Sequence, residues 1–299
     1  MVLERIAGPS DLRTLGPDDL ATLTDELREA VVAAVARAGG HLGSNLGVVE
    51  LTIALHRVLN SPHDRIVWDT GHQAYVHKML TGRADDFTSL RTAGGLSGYP
   101  SRAESPHDHV ENSHASTALS WAAGLAWAER ARPTVPPRRT VAVIGDGALT
   151  GGMAYEALNN LGHHGLPVLV VVNDNGRSYA ETVSRLPQRI AEIRTDPRYR
   201  RLRDRLDDVV ARLPASGLAA RVRDANLRAL KTAVSEAPAL QSFVEALGVR
   251  YLGPFDGHDV AVVERAVRDA LRLDTPVLLH VLTEKGRGYG PAETDPEKR

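Results

Sequence analysis

The sequence predicts an α/β protein: a doubly wound, mostly parallel sheet flanked by helices. Short apolar runs recur along the chain, helical patterns fall between them, and the runs are continuously apolar rather than alternating. Continuous apolar character is typical of parallel strands that are buried on both faces. Strands that alternate with helices favour a doubly wound sheet.

The elements follow one another in that pattern. Strands are predicted over Arg65–Asp69, Thr140–Ile144, Val168–Asn173, Val249–Leu252 and Val277–Thr283. Helices are predicted over Asp18–Ala38, Asn45–Leu59, His114–Arg130, Gly152–His163 and Val260–Leu273. The first helix follows Pro17 and has apolar residues at positions 20, 23, 27, 31 and 35, the spacing of one helical face.

Composition excludes several classes of protein. The 299 residues suffice for one large domain or two small ones, and 42 % hydrophobic with 24 % charged residues excludes a disordered, collagenous or coiled-coil chain. A net charge of −1 gives no case for nucleic acid or an anionic membrane. The chain has no cysteine, which excludes disulfides and a cysteine nucleophile. Without a signal-peptide core or a membrane-length apolar run, we expect a soluble, cytoplasmic protein.

One segment differs in charge from the rest. Residues 185–231 contain thirteen Arg or Lys and six Asp or Glu, a surplus of seven positive charges. The simpler interpretation is a solvated helical excursion, at about 185–240, inserted between strands. The alternative is a basic lid or a docking surface for an acidic partner.

The clearest local motif lies at the ends of two predicted strands. Gly145-Asp146-Gly147 directly follows one strand, and Asn173-Asp174-Asn175 ends the next, with 25 residues (148–172) between the two triplets. Open α/β sheets bind ligands at the carboxyl ends of their strands, and glycines let a backbone approach a phosphate closely. One carboxylate and one amide oxygen suit Mg²⁺ that also holds a diphosphate. This combination resembles the thiamine-diphosphate motif.

With these triplets, longer segments make the chain resemble the 1-deoxy-D-xylulose 5-phosphate synthases of the transketolase superfamily, particularly their actinobacterial form. The segments are GGHLGSNLGVVELTIALHRV, VWDTGHQAYVHKMLTGR, GGLSGYP, SHASTALS, GDGALTGGMAYEALNNLG, VVNDNGRSYA, GPFDGHD and EKGRGYGPAE. The resemblance covers almost the whole chain, is weakest over 185–240, and extends only over that family's first domain. It implies one diphosphate-binding domain over residues 1–299, with thiamine diphosphate and Mg²⁺ as cofactors. The family's pyrimidine-binding and third domains are absent from the sequence.

The resemblance also implies roles for particular residues. The Mg²⁺ ligands would be the side chains of Asp146 and Asn175 and the backbone carbonyl of Arg177. The residues implied to contact or approach the cofactor, mainly on its diphosphate side, are Gly145, Gly147, Ala148, Ser116 and Lys285.

Three histidines lie at the ends of predicted elements and in motifs that face the cofactor and donor in the family: His41, His72 and His114. Histidine suits the repeated proton transfers near neutral pH that ketol transfer requires. The remaining nine histidines are assigned no chemistry, and no HxH or HExxH spacing indicates zinc. Trp121 and Trp127 lie on one predicted helix, as core or partner-facing packing.

Some of the family's catalytic groups lie outside its first domain, and their position determines the function that we expect for this chain. In the superfamily, the glutamate that activates the cofactor lies in the pyrimidine domain, and the synthase's arginines for the acceptor phosphate also lie outside the first domain. We therefore expect the diphosphate-binding subunit of a ketol or acyloin transferase acting on small keto and aldehyde substrates. A separately encoded C-terminal subunit would complete an α₂β₂ heterotetramer, and the chain alone would be inactive.

Alternatives remain open at this point. One alternative is a fragment of a full synthase, and another is a non-catalytic paralogue that binds cofactor or a partner. The initial Met and the polar end AETDPEKR favour a natural subunit over both. Within enzymes, the alternatives are a transketolase-type two-carbon transfer in specialised metabolism and the α subunit of a thiamine-dependent 2-oxoacid dehydrogenase or decarboxylase. The dehydrogenase class shares GDG…N but does not predict GHQAYVHK or SHAST.

Overall fold

The computed structural model describes residues 1–176 and 240–294. The chain divides into two compact units, one formed by Met1–Thr182 with Leu247–Arg299 and the other by Val183–Ala246. Of the second unit the described residues are 240–246, which are helical. The predicted basic excursion at about 185–240 therefore lies outside the described residues, apart from its last position.

A single parallel sheet forms the centre of the first unit. Its strands are β1 Arg65–Trp68, β2 Thr140–Gly145, β3 Val168–Asp174, β4 Arg250–Asp256 and β5 Val277–Leu282. Their order across the sheet is β1-β2-β3-β5-β4, and every pairing is parallel. The five predicted strands are all present, and the predicted fold class is confirmed.

Helices and turns of this unit precede β1, connect the strands and follow β5. The α-helices are α1 Pro17–Ala38, α2 Leu42–Leu46, α3 Val49–Val58, α4 Tyr75–Lys78, α5 Ala118–Ala131, α6 Asp146–Leu149, α7 Gly152–His164, α8 Val260–Leu271 and α9 Gly290–Thr294. A π-helical turn, Met79–Arg83, follows α4, and three 3₁₀ turns lie at Leu3–Arg5, Asp11–Thr14 and Asp85–Ser89. None of the helices over 1–176 and 240–294 combines the length and apolar content that crossing a bilayer requires.

The core has helices on both faces of the sheet. Val141 and Val143 of β2 point into a cluster with α3 and α8, so the alternate residues Ala142 and Ile144 face the other side, where α5 packs across β1, β2 and β3. The central strands β2 and β3 are buried on both faces, which explains their continuous apolar sequence. Helix α1 adds an outer layer by packing its apolar stripe against α3.

Two predicted helices differ from the observed ones. The predicted helix Asn45–Leu59 is split into α2 and α3, and Val48 between them has φ −116° and ψ 15°. A side chain on Gly47 would approach the carbonyl oxygen of Glu284, so this break brings two backbone segments close together. The predicted helix His114–Arg130 begins only at Ala118, and His114 lies in the preceding loop.

Candidate functional site

A cleft of about 490 Å³ lies at the carboxyl ends of β1, β2 and β3. This volume is within the roughly 300–1,000 Å³ that is usual for small-molecule sites. Its walls come from the loops that follow these strands, from the start of α2 and from the loop after β5. Nine of the eleven residues expected at the site line it: His41, His72, Ser116, Gly145, Asp146, Gly147, Ala148, Asn175 and Lys285.

The two glycine- and asparagine-containing triplets meet as predicted. Gly145 at the end of β2 pairs with Asn173 of β3, so the residues that follow them leave neighbouring strands at the same edge. Asp146 and Asn175 both line the cleft. A side chain at Gly145 would project into open space, so glycine leaves this part of the cleft clear. The adjacency of the two triplets is confirmed.

The two asparagines of the second triplet have different surroundings. The Asn173 amide nitrogen donates to Oε1 of Gln73 at 3.1 Å, and its amide oxygen accepts from the Thr283 hydroxyl. Asn173 thus joins the loop after β1 to the loop after β5, and its side chain is committed to structure. Asn175, like Asp146, lines the cleft.

Asp69, directly after β1, holds the loop before α5 that forms part of the cleft wall. This residue was not identified from the sequence. It is 1 % exposed, and its carboxylate accepts from the backbone N–H groups of Ser116 at 2.9 Å and Ala118 at 3.0 Å. Ser116 has φ +69°, a left-handed conformation that is uncommon for a residue with a side chain. Its hydroxyl donates to the Ala148 carbonyl oxygen at 2.6 Å, which ties this loop to the Gly145–Ala148 turn. The position of Asp69 as the last residue of a predicted strand was the available signal.

His41 and His72 form a pair in the wall of the cleft. Their rings meet edge to face, with centroids 5.2 Å apart. Asn45, which is fully buried, donates its amide hydrogens to the carbonyl oxygens of both histidines, at 2.6 and 2.9 Å, and accepts from the Tyr75 N–H. This one side chain fixes the two histidine-bearing loops relative to each other.

The environment lowers the pKa of both histidines. Burial, followed by the neighbouring His41 and Lys285, lowers the pKa of His72 to about 4. Burial, followed by the positive charges of Arg91 and Lys285, lowers the pKa of His41. Nδ1 of His72 is buried and has no hydrogen-bond partner within the described chain. Neutral imidazoles at neutral pH offer both a lone pair and an N–H group to a bound molecule.

Lys285 lies on the loop after β5, which other side chains hold in place. His258 bridges Glu50 and this loop, since Nδ1 lies 3.1 Å from a Glu50 carboxylate oxygen and Nε2 accepts from the Glu284 N–H at 2.8 Å. Gly286 donates its N–H to the carbonyl oxygen of Gly43, at 2.9 Å. The loop is therefore fixed to α2, beside the histidine pair.

Two expected residues stand apart. His114 is exposed and is not among the residues that line the cleft, although its neighbours Ser113 and Ala115 are. Asn112 holds this loop by accepting from the His114 N–H at 2.9 Å. Arg177, whose carbonyl was expected to bind Mg²⁺, lies outside the described residues and stays a prediction.

The residues present fit a magnesium diphosphate. No group of three or more His, Cys, Asp or Glu side chains in the described parts of the chain could hold a metal, so an ion here would need amide and backbone oxygens as well. Asp146 with Asn175 is such a set, because Mg²⁺ prefers a few hard oxygens and takes others from phosphates. Lys285 adds a positive charge to the cleft wall. A side chain at Gly151 would collide with Ser116, so the close packing of these two segments requires glycine at position 151.

Comparison with known proteins agrees with this geometry. A family model described as 1-deoxy-D-xylulose-5-phosphate synthase matches residues 3–283. The synthase of Frankia casuarinae is 54 % identical over 294 residues, which cover 98 % of this chain and 44 % of the relative. Synthase 1 of Streptomyces coelicolor is 57 % identical over 298 residues, covering 99 % and 44 %. This chain thus spans less than half the length of these curated relatives.

Solved structures support the fold. Transketolase from Leishmania mexicana matches with a TM-score of 0.62 and 19 % identity, covering 90 % of this chain and 37 % of that one. Transketolase from Campylobacter jejuni matches with a TM-score of 0.62 and 18 % identity, covering 92 % and 39 %. At this identity the likeness is one of fold. The match over residues 3–283 shows that this chain belongs to the 1-deoxy-D-xylulose-5-phosphate synthase family, of which it contains the N-terminal part.

Proposed function

We propose that this chain is the diphosphate-binding part of a thiamine-diphosphate-dependent transferase of the 1-deoxy-D-xylulose-5-phosphate synthase type, which joins a small keto substrate to an aldehyde. The observation that carries the proposal is the pairing of Gly145 with Asn173, which brings Asp146 and Asn175 to one edge of the sheet. The histidine pair lines the same cleft.

Each part of the cleft has a role in this proposal. Asp146 and Asn175 would hold Mg²⁺ with the carbonyl of Arg177 as a third protein ligand, and Lys285 would balance diphosphate charge. Bound thiamine diphosphate supplies a nucleophilic carbon for the keto substrate. His41 and His72 would move protons at substrate oxygens, since burial keeps both rings neutral and able to accept and donate.

We propose further that a C-terminal subunit completes the site as an α₂β₂ heterotetramer. The chain spans 44 % of its curated relatives, and the remainder of those relatives is what such a subunit would correspond to. Trp121 and Trp127 on α5 are 51 % and 44 % exposed, and exposed apolar surface of this kind favours a partner. This supports the partner-facing interpretation of the two tryptophans.

The cofactor assignment is tested by calorimetric titration of thiamine diphosphate with Mg²⁺ into the full chain, with the C-terminal subunit present if binding requires it. Asp146→Ala should abolish the Mg²⁺-dependent binding, because a hard oxygen ligand and its charge are lost. Asp18→Ala, in the exposed first turn of α1, is the matched control and should bind like the unaltered chain. Unchanged affinity in Asp146→Ala would remove the assignment.

The need for a partner is tested separately. Hydrogen–deuterium exchange at C2 of the thiamine ring should be slow with the chain alone and become fast on addition of the C-terminal subunit. Fast exchange with the chain alone would show that it contains its own activating group. If the two proteins elute separately at micromolar concentration with cofactor and Mg²⁺, the heteromer proposal fails. Activity with pyruvate as donor supports a synthase, whereas activity only with ketose donors supports transketolase-type transfer.

A further inference from the structure

A buried line of hydrogen bonds crosses three neighbouring strands beneath the cleft. The Tyr251 hydroxyl of β4 lies 2.7 Å from Nδ1 of His280 in β5, and Nε2 of His280 lies 2.8 Å from Oδ2 of Asp174 at the end of β3. His280 is 2 % exposed and Tyr251 is 7 % exposed. Buried polar groups are costly unless each is paired. This line is fully paired, and it ends in Asp174, which stands in the chain between two residues that line the cleft.

The partners along this line determine which group donates and which accepts in each hydrogen bond. A carboxylate only accepts, so Nε2 of His280 carries the proton and donates to Asp174. Nδ1 then accepts from the Tyr251 hydroxyl. Burial, with the negative charge of Asp174 as a second cause, raises the pKa of Tyr251 and keeps the phenol a donor. All three side chains are thereby satisfied.

The second oxygen of Asp174 contacts the metal loop (residues 174–176), which contains the proposed ligand Asn175. Oδ1 accepts from the Gly176 N–H at 3.0 Å, which closes an Asx-type turn around Asn175. The backbone oxygen of Asp174 accepts from the Thr283 N–H at 2.9 Å. Asn173 and Asn175 line the cleft, while Asp174 points the other way, toward β5. One carboxylate therefore contacts the buried line with one oxygen and shapes the turn that presents Asn175 with the other.

We infer that Tyr251 and His280 are positioning residues for the metal ligand Asn175 and act through Asp174. The inference rests on the proposed function, in which Asn175 binds Mg²⁺. Outer groups that orient metal ligands typically change metal affinity by about 10- to 100-fold when removed. The line gives the metal loop a rigid support from strands β4 and β5, which carry none of the proposed ligands.

Mg²⁺ affinity tests this, measured by calorimetry in the full chain with saturating thiamine diphosphate and, if needed, the C-terminal subunit. Asp174→Ala should raise the Kd for Mg²⁺ by about tenfold or more, and Tyr251→Phe by about threefold to tenfold. Asp174→Asn should change it by less than about threefold, because its amide still accepts from Gly176 and can donate to Nε2 while His280 donates from Nδ1 to Tyr251. Thr140→Val, at the opposite end of β2 and buried without a hydroxyl partner, is the control.

The ¹⁵N chemical shifts of His280 give a second readout that a merely structural role would not move. The ring proton should reside on Nε2 in the unaltered chain and on Nδ1 in Asp174→Asn. Equal losses of affinity in Asp174→Asn and Asp174→Ala would overturn the inference in favour of a charge effect. Tyr251→Phe behaving like Thr140→Val would overturn it as well. If Asp146→Ala binds Mg²⁺ as tightly as the unaltered chain, the proposed function itself fails, and the inference fails with it.

Discussion

Removing the carboxylate of Asp69 should damage both the fold and the cleft. This carboxylate is 1 % exposed and is the common acceptor for two backbone N–H groups, those of Ser116 and Ala118. It thereby stabilises the start of α5 from a neighbouring strand, because Thr117 at the helix N-cap makes no side-chain capping bond. It also holds Ser116 at φ +69°, the conformation from which the serine reaches Ala148.

The magnitude follows from the groups left behind. Both N–H groups are buried, and Asp69→Ala leaves each without its acceptor. An unsatisfied buried donor costs about 1–3 kcal/mol, so the two together should lower the free energy of unfolding by about 2–6 kcal/mol. Asp259, the exposed N-cap of α8, accepts from the Val262 N–H at 3.0 Å, and its loss should cost only about 1 kcal/mol.

Urea unfolding of the unaltered chain, Asp69→Ala and Asp259→Ala, followed by circular dichroism, compares their free energies of unfolding. Asp69→Asn is included because it keeps one acceptor oxygen and should lose about half as much, which gives a measurable variant if Asp69→Ala does not fold. Asp69→Asn should also weaken binding of magnesium thiamine diphosphate, whereas Asp259→Ala should not. The reasoning is refuted if Asp69→Ala loses no more stability than Asp259→Ala.

Two further predictions concern pH and helix packing. Between pH 6.5 and about 4, His72 takes up a proton in the unfolded chain but not in the folded chain, where its pKa is about 4. As the pH is lowered through this range, the free energy of unfolding should therefore decrease by up to roughly 3 kcal/mol because of this group. His72→Gln should flatten that part of the stability profile in urea titrations from pH 4 to 7.5, and parallel profiles would contradict it. Gly162→Ala should lower the melting temperature, since its Cβ would collide with the carbonyl oxygen of Leu247, whereas Gly124→Ala in α5 meets nothing and should gain about 1 kcal/mol. Equal shifts in calorimetric melting would show that the close approach does not constrain α7.

The fold was accessible from sequence because burial on both faces leaves a direct pattern. Strands β2 and β3 are apolar at every central position, and their ends were predicted within one residue. The order of the last two strands was not predictable, since no sequence feature distinguishes β5 as the inner partner of β3. The split between α2 and α3 was missed because the contacts around it are remote in sequence. The Asn45 side chain bonds to the His72 carbonyl oxygen, and a side chain on Gly47 would approach the carbonyl oxygen of Glu284.

The site was predictable to the extent that it follows from strand ends. The carboxyl ends of neighbouring parallel strands meet at one edge, which brought Asp146 and Asn175 together. His258 and His280 were assigned no chemistry, because their roles depend on partners up to 208 and 106 positions away along the chain, Glu50 and Asp174. Contacts at such separation leave no local periodicity to detect.

A common device supports the walls of this cleft. Two strands end in, or are directly followed by, polar side chains that hydrogen-bond a distant segment. Asp69 after β1 holds the loop before α5, and Asn173 and Asp174 at the end of β3 hold the loop after β5 and β5 itself. Strand ends are the most rigid points from which a loop can be positioned, and sites built on such points keep their geometry best. These strands therefore organise their side of the cleft through their own polar side chains. In the function proposed above, a C-terminal subunit would add its chemistry to a cleft that is already formed.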